Sequence, residues 1–134
     1  MKNINDIAMA SVLTNQSVNK VREIALKGGY VSSQIDVALK YIVKSRLTVE
    51  IKENGLFDIK NESNNEYIDI DIDLNTVVER GHDCLRSMLE HNLREDEVSL
   101  SMANKLLEHL NGMFENIQYT IKENEEGKYL ALNI

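Results

Sequence analysis

Along the first forty-odd residues the apolar positions recur at helical spacing, and beyond them helical and alternating stretches take turns. Ile4, Ile7, Ala8 and Val12 share one helical face and predict a short first helix. Ser17 is placed to cap a second, whose stripe is Val18, Val21, Ile24 and Ala25. Gly28 and Gly29 end it, because glycine takes up the left-handed backbone of a helix C-terminus without steric cost. Ser33 with Asp36 three residues on has the spacing of a capping box. It predicts a third helix buried through Ile35, Ala38, Leu39, Ile42 and Val43.

After Ser45 the period changes from 3.6 to 2, with Leu47, Val49 and Ile51 alternating against Thr48, Glu50 and Lys52. Leu56, Phe57 and Ile59 offer the facing strand. A two-residue loop at Asn54-Gly55 would set Ile51 against Asp58 and mix core with solvent. A three-residue loop with Gly55 left-handed pairs Ile51 with Phe57 and Val49 with Ile59, and this register is expected. The polar connector "NESNN" follows, then "YIDIDIDL", a strand with Ile68, Ile70 and Ile72 on one face and Asp69, Asp71 and Asp73 on the other. Thr76 and Glu79 form a second capping pair before a helix through Val77, Cys84, Leu85, Met88 and Leu89, with Cys84 expected in the core. A last helix buries Ala103, Leu106, Leu107, Leu110, Met113 and Phe114. A loop from Asn124 to Gly127 then pairs Ile121 with Leu130, Tyr119 with Leu132 and Ile117 with Ile134, and faces Glu123 with Lys128.

The expected fold class is therefore α+β, with four to five helices packed on a small antiparallel sheet of about five strands. Two similar helix-helix-hairpin units suggest themselves. Residues 1–62 form a helical unit with hairpin 47–60, and residues 63–134 a strand, two helices and the C-terminal hairpin 117–134; one continuous domain is the alternative. "IKEN" occurs at Ile51–Asn54 and again at Ile121–Asn124, but little else aligns at that offset, which is thin support for duplication.

Charge sharpens this picture. Net charge is −7, yet residues 1–50 carry seven Lys or Arg against four Asp or Glu, while residues 51–134 carry eight against eighteen. A basic front and an acidic back fit a nucleic-acid-facing part and a protein-facing part. Hydrophobic residues at 43% and charged residues at 28% are ordinary for a globular domain. One cysteine cannot form an internal disulfide, which fits a reducing cytoplasm. No apolar run approaches the roughly 18 residues that span a bilayer, so no membrane association is expected. Asp6 falls where a signal peptide would carry its apolar stretch, and no secretion signal is expected.

The segment "IALKGGYVSSQIDVALKYIVK" resembles a helix-turn-helix. Ala25 stands where that motif wants a small residue, Gly29 falls four later at the turn, and Ile24 and Ile35 fill core positions. The "VEIKENGLFDI" hairpin follows where a winged helix carries its wing. The resemblance covers residues 1–61 and implies a groove-facing set of Ser32, Ser33, Gln34, Asp36 and Lys40, with Lys44, Arg46 and Lys52 on phosphates. Asp36 on that face would repel phosphate, and the basic stripe usual for nucleic-acid binding is largely missing.

The Asp69, Asp71, Asp73 ladder is the other candidate. Side chains two apart on a strand project the same way about 6.5 Å apart, so three carboxylates would form one row of negative charge. Joined by Glu95, Asp96 and Glu97 and by Glu123, Glu125 and Glu126, such a row could imitate a phosphate backbone. An ordinary solvated sheet face is the plainer account of the same alternation. Metal chemistry has little footing. Glu79 and His82 are half of a di-iron pattern without its partner pair, Cys84 and His91 are two turns apart, and no calcium-loop spacing occurs. Neither a nucleophile elbow nor a phosphate-cradling glycine loop is present, and no cofactor is expected.

The expectation is a non-enzymatic acidic protein-binding module, an inhibitor, adaptor or chaperone-like factor, whose partner presents a basic surface, such as a nucleic-acid groove. The alternative is a winged-helix DNA-binding regulator using residues 17–53. Wide helical stripes also leave room for a homodimer interface.

Overall fold

The computed structural model describes residues 24–30 and 32–133. The expected first helix through Ile4 and Val12, the Ser17 cap and the pairing of Ile117 with Ile134 lie outside the described residues. Residues 24–28 are helical. Helix α1 (Ser32–Lys44) leads into strands β1 (Leu47–Ile51), β2 (Phe57–Asn61) and β3 (Tyr67–Ile72). Helices α2 (Leu74–Arg94) and α3 (Leu100–Met113) precede strands β4 (Tyr119–Asn124) and β5 (Gly127–Leu132). The class is α+β, but the five strands form two antiparallel sheets, β1-β2-β3 and β4-β5, and not the single sheet expected. Each strand pairs with a neighbour in sequence, and α2 and α3 intervene between β3 and β4.

By its packing the chain divides into two compact units, Met1–Gly81 and His82–Ile134, so the division falls inside α2. The polar connector "NESNN", residues 61–65, joins β2 to β3, which pair with one another.

In the first unit the glycine-terminated turn forms as its sequence implies. Tyr30 N donates to Ala25 O at 3.0 Å, and Gly29 takes φ +76°. Helix α1 opens at Ser32, so Ser33 lies inside its first turn and is not the cap. Its buried stripe is Ile35, Ala38, Leu39 and Ile42. The β1–β2 register matches the expectation, with Ile51 opposite Phe57 and Val49 opposite Ile59. Lys52 N donates to Leu56 O at 2.8 Å, which closes a three-residue loop with Gly55 at φ +85°. Val49, Ile51, Phe57 and Ile59 are all buried, so one face of the hairpin lies in the core.

Helix α2 begins one turn earlier than the Thr76–Glu79 pair implied. Asp73 caps it, its Oδ1 accepting from Thr76 N at 2.9 Å and from Thr76 Oγ1 at 2.7 Å. Those bonds, backbone first, hold the Asp73 carboxyl below the ordinary range. Gly81 lets α2 approach α1 closely, since a Cβ there would fall 2.4 Å from Ala38 Cα.

In the second unit the buried positions on α2 are His82, Leu85, Leu89 and Leu93, at spacings of three and four. Cys84 and Met88 flank that stripe and are half-buried, so Cys84 is not in the core as expected. Ser99 caps α3, its hydroxyl accepting from Met102 N at 3.2 Å. Ala103, Leu110 and Met113 are buried, whereas Leu106 and Leu107, expected beside them, are half-exposed. Two amides join α3 to β4. Asn111 accepts from Tyr119 N at 2.8 Å and donates to Tyr119 O at 3.0 Å. Gln118 Nε2 donates to the α3 carbonyls of Asn111 at 3.0 Å and Phe114 at 2.8 Å, which satisfies helix-end acceptors. The β4–β5 register is the one expected, with Ile121 opposite Leu130, Tyr119 opposite Leu132 and Glu123 opposite Lys128.

Candidate functional site

Strand β3 does not present its aspartates as a row. Along the β2–β3 ladder Lys60 faces Tyr67, Ile59 faces Asp69 and Phe57 faces Ile72, so β3 gains one extra residue at each step. Each extra residue is a bulge, and each bulge resets which face the following side chain takes. Asp69, opposite the fully buried Ile59, turns toward the core side and meets Arg80 of α2 in a bidentate pair, Nε to Oδ2 at 2.9 Å and Nη2 to Oδ1 at 3.1 Å. Asp71 lies at φ +53°, a backbone that aspartate tolerates better than most residues. It bonds Lys52 on the opposite face, beside the half-strand position of Asp58. Its own N–H donates to Asp58 Oδ1 at 2.9 Å. Asp73 is committed to the helix cap.

Three expected surface charges are therefore three separate structural contacts. The isoleucines are displaced too, with Ile68 43% and Ile70 60% exposed and only Ile72 half-buried. Strict alternation could not reveal this, because the bulges depend on what β2 and α2 offer as partners.

The other acidic residues are differently placed. Helix α2 ends in a Schellman turn, in which Glu97 N donates to Asn92 O at 3.0 Å and Asp96 N to Leu93 O at 3.3 Å. Asp96 occupies the left-handed position, at φ +52°, where glycine is the usual choice. Glu95, Asp96 and Glu97 thus gather at a helix C-terminus, the negative end of the helix dipole, where carboxylates are unfavourable. Only distant partial compensation is present. Arg94 lies 3.8 Å from Glu95, and His91 lies 4.0 Å from Glu97.

The second acidic segment is the β4–β5 turn, with Glu123, Glu125 and Glu126 exposed. Among the described residues these three and Asp96 form no ion pair. A cleft of about 250 Å³ lies between the end of α2, which contributes Glu90 and Arg94, and the hairpin, which contributes Glu126, Lys128 and Tyr129; Glu95, Asp96 and Glu97 follow Arg94 in the chain and do not line it. Residues 82–134 carry ten acidic against five basic side chains.

The residues of the alternative reading lie in the first unit. Ser32 opens α1, Ser33 is exposed and Gln34 is half-buried. Lys40 and Lys44 are exposed, their ammonium groups 5.6 and 5.4 Å from the Tyr41 ring centroid, and Arg46 is exposed just beyond the helix at φ +60°. None of these three forms an ion pair among the described residues. Asp36, expected on the reading face, is buried at 6% exposure and does not project from it. Lys52, of the set expected on phosphates, pairs with Asp71 and Asp58. The bond to Asp71 also raises its pKa.

Among the described residues no cluster of His, Cys, Asp and Glu has the arrangement of a metal site. Glu79 is exposed and accepts from Asn75 Nδ2 at 3.1 Å, whereas His82 is buried, so the half-signature at those positions is not assembled. No helix among the described residues is long and apolar enough to cross a membrane. Comparison with known protein families, with curated proteins and with solved structures finds no match to this chain.

Proposed function

We propose that the protein is a non-enzymatic binding module whose acidic second unit engages a basic surface of a partner protein. The observation that carries this reading is the placement of Glu95, Asp96 and Glu97 on the negative end of α2, directly after Arg94, which lines one cleft with Glu126. Side chains placed against local stability are expected where function requires them. Tyr129, 41% exposed at the same cleft, adds an aromatic face suited to a guanidinium or ammonium group. The binding residues in this reading are Glu95, Asp96, Glu97, Glu123, Glu125 and Glu126. Asp69, Asp71 and Asp73 are left out of this set, since each is held in its own contact within the first unit.

A second reading, duplex DNA binding by residues 17–53, draws support from the exposed Lys40, Lys44 and Arg46, which form no ion pair among the described residues, and from the burial of Asp36. One titration separates the two. The full chain is mixed with a labelled arginine-rich peptide and, separately, with a labelled random DNA duplex, at low and moderate salt, and anisotropy is followed. The protein-binding reading expects the peptide to bind, E95Q/D96N/E97Q to weaken it at least ten-fold, D71N to leave it unchanged, and the duplex to remain free. Duplex binding that weakens steeply with salt and with K40E/K44E overturns this in favour of the second reading.

A further inference from the structure

The buried stripe of α2 contains one ionisable residue, His82, with Leu85 and Leu89 following it at the same face. Its ring is 4% exposed. It meets Phe114 edge-on at a centroid distance of 5.1 Å, and Tyr119 at 6.1 Å and a tilt of 36°. Nε2 has no hydrogen-bond partner among the described residues. Phe114 and Tyr119 bracket the α3-to-β4 junction, the same junction that Asn111 and Gln118 tie together through their amides. The second unit's two helices and its hairpin therefore converge on one imidazole.

We propose that His82 is an acid-sensitive latch: neutral, it holds the α3–β4 junction of the second unit on α2, and its protonation releases that junction. A protonated imidazole would carry a second N–H donor into a pocket that supplies aromatic carbon and no acceptor for Nε2. The charged groups acting on the ring are on its own helix. Asp83 favours the protonated form and Arg86 opposes it. The segment packed on the ring contributes the Phe114 and Tyr119 rings. Burial is the largest influence and pushes the His82 pKa down.

The sign follows from linkage. The folded form holds its proton less tightly than the unfolded chain, so the latch is fully closed above the ordinary histidine value of about 6.5. It weakens as the pH falls from there toward the lower folded value, by up to about ten-fold in the folding constant per pH unit.

Hydrogen exchange on the full chain, corrected for intrinsic rates and read peptide by peptide at pH 7.5 and 5.5, tests this. Protection of residues 100–133 should fall by up to about ten-fold on acidification while residues 47–61 keep theirs, and H82F, neutral at every pH, should abolish the difference. An equal acid response in H82F overturns the proposal, since groups other than His82 would then account for it. Should H82F fail to fold, proton NMR of the unmodified chain decides. A His82 imidazole that titrates at or above pH 6.5 overturns the latch, and one that stays neutral until the second unit opens supports it.

Discussion

The two hairpins carry the same four letters and obey the same alternation, yet only one is part of a core. In β1–β2, Ile51 of the first "IKEN" is 3% exposed and its neighbours Val49, Phe57 and Ile59 are buried with it. In β4–β5, Ile121 of the second copy and its partner Leu130 are half-exposed, while Leu132 and Tyr129 are 52% and 41% exposed. Register is as expected in both. The difference is in what covers them, because the first hairpin belongs to a three-stranded sheet with α1 against it and the second is a two-stranded ribbon. Alternation sets which residues share a face; burial requires a second layer.

Ile51→Ala and Ile121→Ala test this contrast most directly. Urea unfolding should show a loss of about 2–5 kcal/mol at the buried site and about 1 kcal/mol or less at the half-exposed one. Equal losses would mean that the second hairpin is as deeply packed as the first, and the contrast would fail. Gly81→Ala should come next, at about 1–3 kcal/mol, because the added methyl meets the Ala38 backbone, which cannot rotate aside. Its damage should appear as lost exchange protection in α1.

The ends of α2 give the smaller effects and differ in sign. Asp73→Ala removes the cap and should cost about 1 kcal/mol. Since the Asp73 pKa is lowered, its contribution is complete above the ordinary carboxylate range and is lost as pH falls through the lower folded value. The variant's deficit, seen by thermal melts at neutral pH, should therefore vanish in strong acid. Asp96→Gly should stabilise by about 0.5–1 kcal/mol, by relieving a left-handed aspartate and removing a carboxylate from the helix C-terminus. It should at the same time weaken capture of the arginine-rich peptide, which a purely structural turn would not do.

Local chemistry made much of the fold legible. The Gly28-Gly29 stop, the three-residue loop at Gly55 and both hairpin registers depend on residues near one another in the chain. The aspartate strand was misleading for the same reason. "IDIDID" read alone is a flat ribbon with two clean faces, but Arg80, Lys52 and the Thr76 amide each compete for one carboxylate, and two bulges follow. Of the candidate site, the charges of residues 95–97 and 123–126 were visible in the sequence, while the cleft shared by Arg94 and Glu126 and the helix dipole beneath the first set were not. His82 had a sequence signal, since it continues the spacing of Leu85 and Leu89, but a histidine at that spacing reads equally well as solvent-facing.

Short-range terms, backbone propensity, glycine geometry and face alternation, thus determined the elements and the registers of the two hairpins, because each involves residues a few positions apart. Tertiary structure alone decided that five strands make two sheets and that the unit division runs through a helix. It also decided which carboxylates are neutralised and which remain free. Desolvation and ion pairing depend on groups brought together from distant positions, such as Asp69 with Arg80 and His82 with Phe114, and no local window contains both members of such a pair.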